Sequence, residues 1–185
     1  MGKLSIGIII GSPRRDSYSK KIAIHLDGLL EEQFETRFLD ITSLSLYNQD
    51  LDNESDMPYE WKRFRQEVKS VNAVLFVTPE YNRSMTPTLK NAIDIASRPM
   101  SDNAWSGKPS AIVSISQGSF GGFGGNHHLR QSAVCVNLCV MPRPEAYIGY
   151  IAELFNADGA LEEETQTFLR SFADAFANWI NKFNG

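Results

Sequence analysis

The sequence predicts an α/β fold, a three-layer sandwich with helices on both faces of a five-stranded parallel sheet. Three observations predict it. Short apolar runs of strand length alternate five times with longer segments of helical periodicity, the pattern of parallel strands joined by right-handed crossovers. The strongest runs, LSIGIII at 4–10 and AVLFVT at 73–78, are almost continuously apolar, as strands buried on both faces require. A length of 185 residues, with no internal repeat and no long linker, places residues 1–185 in one domain.

The elements follow in order. A first strand at 4–10 is broken by Gly11-Ser12-Pro13, and a helix at 17–34 carries Ile22, Leu26, Leu29 and Leu30 on one side. A second strand at 35–40 leads into a polar loop through Met57. The next helix, at 58–70, sets Trp61, Phe64 and Val68 at spacings of three and four. The third strand at 73–78 is closed by Pro79, and a helix at 88–97 follows. A fourth strand at 110–116 runs through a glycine-rich turn into a helix at 127–138. The fifth strand lies within 140–149, where Pro142 and Pro144 mark an edge position. The last helix, 161–183, shows a stripe of Phe168, Leu169, Phe172, Phe176, Trp179, Ile180 and Phe183, which reads as core packing.

Composition excludes several classes of function. The formal charge is −4, with 22% charged and 42% hydrophobic residues, so the chain can build a full core without disulfide or metal. It lacks the basic stripe of a nucleic-acid binder, and it is less acidic than a small electron carrier that docks through a negative field. The apolar run at the start is too short for a signal peptide or a membrane span. Ile6 occupies the slot that myristoylation reserves for Ser or Thr, so the expected compartment is the cytoplasm. Cys135 and Cys139 would share one face of a helix and read as reduced core residues without assigned chemistry. His127 and His128 point to different faces of a helix and His25 lies far away, so no metal is expected.

In such a sheet ligands bind beyond the C-terminal strand ends. After the first strand, residues 11–20 (GSPRRDSYSK) bring serine hydroxyls, two arginines and a lysine to a helix start, where free amides and the helix dipole favour an anion such as a monophosphate. The segment is neither GxGxxG nor GxxxxGK[ST], which lowers the dinucleotide-first and NTPase readings. After the third strand, Pro79 and Pro87 stiffen a loop in which Tyr81 offers a flat face and Asn82 an amide. Those groups suit a planar heterocycle with a polar edge, such as a flavin ring. After the fourth strand, residues 118–125 hold five glycines, a density that means close backbone approach or mobility.

Together the segments GSPRRDSYS, PEYNRSMTPTLKNAID and GSFGGFGG followed by HHLRQ resemble the NADPH-dependent FMN reductase family, a flavodoxin-like group that includes quinone, azo and chromate reductases. The resemblance implies strand order 2-1-3-4-5, non-covalent FMN, and NAD(P)H as co-substrate with NADPH favoured. By position it implies that Ser12, Arg14, Ser17 and Ser19 hold the FMN phosphate. Pro79, Glu80, Tyr81, Asn82 and Arg83 would line the isoalloxazine edge largely through backbone groups, with Ser116, Gln117 and Gly118 on its other side. It further implies ping-pong hydride transfer to a small-molecule electron acceptor, with no catalytic protein residue. A homodimer or homotetramer is implied too, for which the helix at 89–96 is the candidate contact. Two positions depart from the family: Thr88 stands where relatives carry glycine after the proline, and Ser19 where they often carry Asn. An FMN electron carrier without its own NAD(P)H oxidation and a flavin-free interaction module are the alternatives.

Overall fold

A computed structural model describes residues 2–183. Its strands are β1 (Ser5–Ile10), β2 (Glu35–Phe38), β3 (Ala73–Pro79), β4 (Pro109–Ile115), β5 (Cys139–Val140) and β6 (Ala146–Ile148). Its α-helices are α1 (Tyr18–Leu30), α2 (Tyr59–Lys69), α3 (Pro87–Ala96), α4 (Phe123–Cys135) and α5 (Glu163–Asn181). The strands pair in parallel in the order β2-β1-β3-β4-β5, with β6 also beside β4.

The expected fifth strand is two segments. β5 pairs with Pro109 and Ser110 at the start of β4, and β6 pairs with Val113–Ile115 at its end. Between them lie Pro142 and Pro144, which have no N–H to donate, so the ladder opens there and re-forms past them.

Alternation along the central strands divides the core between two faces. Leu75 and Val77 join Ile6, Ile8, Ile22, Leu26, Phe172 and Phe176 under α1 and α5. Val74 and Phe76 join Ile9, Trp61, Phe64, Leu89, Trp105 and Leu129 under α2, α3 and α4. On α5 the buried stripe is Leu169, Phe172, Ala173, Phe176, Ala177 and Ile180. Phe168 and Phe183, expected in that stripe, lie one step off it and are exposed. No helix among the described residues is long and apolar enough to cross a membrane.

Two further expectations change. α4 begins at Phe123, four residues before the anticipated start, so the end of the glycine run forms its first turn. The two cysteines do not share a helix face: Cys135 ends α4 and is exposed, whereas Cys139 opens β5 and is half-buried.

Candidate functional site

Gly11 fastens the first loop to the centre of the sheet. Its N–H donates to the Val77 carbonyl at 2.8 Å, and its own carbonyl accepts from Thr86 Oγ1 at 2.6 Å. A Cβ on residue 11 would lie 2.2 Å from Thr78 Oγ1, so only glycine lets β1 and β3 approach this closely. Thr88 is the second residue of α3, where ordinary helical backbone suffices, and its hydroxyl lies 3.3 Å from the same Gly11 carbonyl. The ordinary backbone that Thr88 demands is therefore met within the first turn of α3.

Ser17 caps α1, its Oγ accepting from the Lys20 N–H at 3.2 Å. The N–H groups of Ser17, Tyr18 and Ser19 have no acceptor among the described residues, as the first turn of a helix dictates. Ser12 and Ser19 are buried, and Ser19 Oγ has no hydrogen-bond partner among the described residues. A buried hydroxyl left unpaired costs about 1–3 kcal/mol. An anion set on these hydroxyls and amides, with the unpaired, exposed Arg14 guanidinium beside them, would satisfy the whole group. The donor set fits a phosphate.

The second loop is a tight hairpin. Tyr81 and Ser84 exchange N–H···O bonds of 2.9 Å each, and Asn82 and Arg83 both have positive φ, 50° and 66°. That is the geometry of a two-residue I′ turn, for which Asn is favoured and Arg is not. The N–H groups of Asn82 and Arg83 meet no acceptor among the described residues. The Arg83 guanidinium lies over the Phe120 ring at 4.8 Å, outside the cleft.

Glu80 joins this hairpin to the third loop. Gly122, the residue that caps α4, has φ 74° and no side chain to offer, and Glu80 Oε2 accepts from the Gly125 N–H at 2.9 Å instead. A carboxylate at a helix N-terminus is favoured by the dipole as well as the hydrogen bond. The glycines here serve close approach to protein. A Cβ would meet the Tyr147 carbonyl carbon at 2.4 Å from Gly121 and the Arg83 oxygen at 2.8 Å from Gly124.

Behind the turn, buried Ser114 donates to the Gly121 carbonyl at 2.8 Å and accepts from Asn126 Nδ2 at 3.1 Å, while Arg130 Nε donates to Asn126 Oδ1 at 2.9 Å. Burial, reinforced by hydrogen bonding to Glu145 and its charge, pushes the neighbouring Tyr147 phenol up to about 12. The two histidines diverge: His127 Nε2 lies 3.1 Å from the Tyr147 hydroxyl and His128 Nδ1 lies 2.9 Å from Ser84 Oγ.

The three loops enclose one cleft of about 290 Å³. Nine expected residues line it: Ser12, Arg14, Ser17, Ser19, Pro79, Glu80, Tyr81, Ser116 and Gln117. Asn82, Arg83 and Gly118 do not; the first two sit at the hairpin tip, and the Gly118 carbonyl is held by Ser116 Oγ at 2.7 Å. Three lining residues were missed, Tyr18, Ile115 and Ile151. Tyr18 and Ile115 adjoin expected site residues and could have been found by adjacency. Ile151 arrives from beyond β6 through the bond from its N–H to the Ser116 carbonyl, 3.1 Å, which no local pattern announces.

Residues 4–153 match the family model described as NADPH-dependent FMN reductase. A quinone reductase from Pseudomonas putida is 48% identical over 176 residues, covering 95% of this chain and 94% of that one. The solved structure of FerB, a flavoenzyme NAD(P)H:(acceptor) oxidoreductase from Paracoccus denitrificans, is 39% identical with a TM-score of 0.90, covering 97% of this chain and 98% of that one. A flavodoxin variant from Pseudomonas aeruginosa, 18% identical with a TM-score of 0.58 over 94% of this chain and 99% of that one, shares the fold. The chain belongs to the NADPH-dependent FMN reductase family of oxidoreductases.

Proposed function

We propose that this enzyme holds FMN non-covalently in the three-loop cleft and oxidises NAD(P)H, NADPH being the favoured donor. The proposed acceptor is a small molecule: a quinone, free FMN, an azo compound or chromate. Bound there, FMN would supply the redox chemistry of a ping-pong exchange between NAD(P)H and the acceptor. The observation that carries this reading is the convergence of three strand-end loops on a cleft whose phosphate end holds an unpaired buried hydroxyl and free helix-start amides.

The protein's own part is to bind, orient and exclude water. Ser12, Arg14, Ser17 and Ser19 take the phosphate. Tyr81, Pro79 and the amides of Asn82 and Arg83 bound the ring's polar edge, while Glu80 holds that hairpin against α4. Ser116 and Gln117 close the opposite side, with Gly118 shaping their turn, and Ile115 and Ile151 keep that side dry. No acid–base pair is required. The name of the Pseudomonas putida relative supports a quinone as acceptor. Neither the charge of −4 nor the donor-rich cleft favours an electron carrier or a flavin-free module.

The proposed assembly is a homodimer or homotetramer working in the cytoplasm. Leu89, Ala92, Ile93, Ile95 and Ala96 of α3 are spent on the protomer's own core, so a contact through this helix would be made by its polar edge around Lys90 and Asp94. Light scattering on the purified protein tests it. The cofactor assignment is tested by Arg14→Ala: loss of a charge-assisted phosphate contact is expected to weaken FMN by about 1.5–3 kcal/mol. Unchanged FMN affinity would misplace the phosphate pocket.

A further inference from the structure

A second cavity of about 350 Å³ lies on the other side of the first loop, between α1 and the C-terminal ends of β1 and β2. Its walls are apolar: Ile8 and Ile10 from β1, Leu39 and Ile41 beyond β2, and at the mouth Ile24 and Phe38, which are 53% and 45% exposed. Apolar side chains left open around a concave slot suit a flat apolar group.

The rim is cationic. Arg14, Arg15 and Lys20 all border the slot, and none of them has an ion pair or a side-chain hydrogen bond among the described residues. The one carboxylate there, Asp40, is engaged by its own turn, its Oδ1 accepting from the Thr42 N–H at 2.8 Å and the Thr42 hydroxyl at 2.7 Å. In a chain of net charge −4, three unpaired cations around an apolar slot call for an anionic ligand with a planar body. Ser12 and Arg14 line both this slot and the flavin cleft, so the two sites share a wall. Position narrows the choice. In the Rossmann dinucleotide fold, whose β-α-β start this chain shares without its glycine fingerprint, a dinucleotide's ribose 2′ substituent is read near the first loop, a carboxylate serving the hydroxyl and an arginine the phosphate.

We propose that the slot receives the adenosine 2′-phosphate end of NADPH, the adenine entering between Ile24 and Phe38 and the phosphate resting on Arg15 and Lys20. Arg14 is left to the flavin phosphate. The inference rests on NAD(P)H being the hydride donor, and it makes the choice of NADPH over NADH a property of the first loop.

Calorimetry on the FMN-loaded protein tests it, with adenosine 2′,5′-bisphosphate and 5′-AMP as probes. The bisphosphate is expected to bind at least about tenfold more tightly, the worth of one good charge-assisted contact. Replacing Arg15 and Lys20 together by Ala is expected to abolish that difference and to raise the ratio of KM for NADPH to KM for NADH. FMN affinity of the same variant checks that the loop is intact. Phe38→Ala is expected to weaken both probes, since it removes wall rather than charge.

Equal affinity for the two probes, or a bisphosphate affinity untouched by the double substitution, overturns the proposal. So does a slot that takes naphthalene-2-carboxylate but neither nucleotide, which would make it a site for free aromatic acids. The donor reading fails separately. Bound flavin bleached equally well by NADPH and NADH keeps that reading and overturns the slot, whereas flavin bleached by neither overturns both.

Discussion

Ser19 Oγ is the atom on which the cofactor assignment bears most heavily, because it is buried, unpaired and set beside free amides at the start of α1. Ser19→Ala is expected to cost FMN about tenfold or more in affinity, measured by fluorescence quenching on titration into apoprotein, while leaving the melting temperature unchanged or higher. Stability improves if anything because a buried hydroxyl with no partner among the described residues is removed. Ser19→Asn, which restores the family's usual donor, is expected to retain binding. A second residue-scale prediction concerns pH. Tyr147, held near 12 against an ordinary 10, keeps its proton when folded in a range where the unfolded chain loses it. The folded state then binds more protons, so stability falls as pH rises from about 10 to about 12. Tyr147→Phe should flatten that fall, and the phenolate absorbance of the wild type should show a late-titrating component that the variant lacks. At this scale the gathering of hydroxyls and cations at the start of α1 was legible, because those residues are neighbours in the sequence. What the sequence did not show is where the Arg83 side chain goes: the I′ turn sends it outward onto Phe120 and leaves only its backbone amide toward the cleft.

At the scale of elements, the glycine run after β4 joins loops more than it contacts a ligand. Gly121 has φ 58° and no room for a methyl group against the Tyr147 carbonyl, so Gly121→Ala is expected to destabilise the fold by about 1–3 kcal/mol through overpacking, with left-handed backbone strain added. Chemical denaturation checks it. Glu80→Gln should cost about 0.3–1 kcal/mol, since the amide keeps the hydrogen bond to Gly125 and loses the charge favoured by the helix dipole. Strands and helices were readable because buried parallel strands are uniformly apolar and helices are periodic. The start of α4 was not readable, because glycine disfavours helix locally and only the Glu80 carboxylate, 45 residues away, makes that turn worthwhile. The split of β5 from β6 was half-legible: the prolines were visible, but not the re-pairing of Ala146 with Val113 beyond them.

At the scale of the molecule, the sheet brings every chemically distinctive loop to one edge, and the mild charge of −4 leaves the cations of the first loop as a local feature. The flavin cleft and the apolar slot lie on either side of that loop, so one ten-residue segment would hold the cofactor and select the donor. The central claim is that bound FMN is reduced directly by a nicotinamide nucleotide and reoxidised by a small acceptor at the same site. Anaerobic mixing of the FMN-loaded protein with NADPH, followed by a quinone, tests it most directly. The account predicts that the flavin absorbance near 450 nm is lost on adding NADPH and returns on adding the quinone. Flavin colour that persists in excess NADPH and NADH would contradict it and leave the protein an electron carrier.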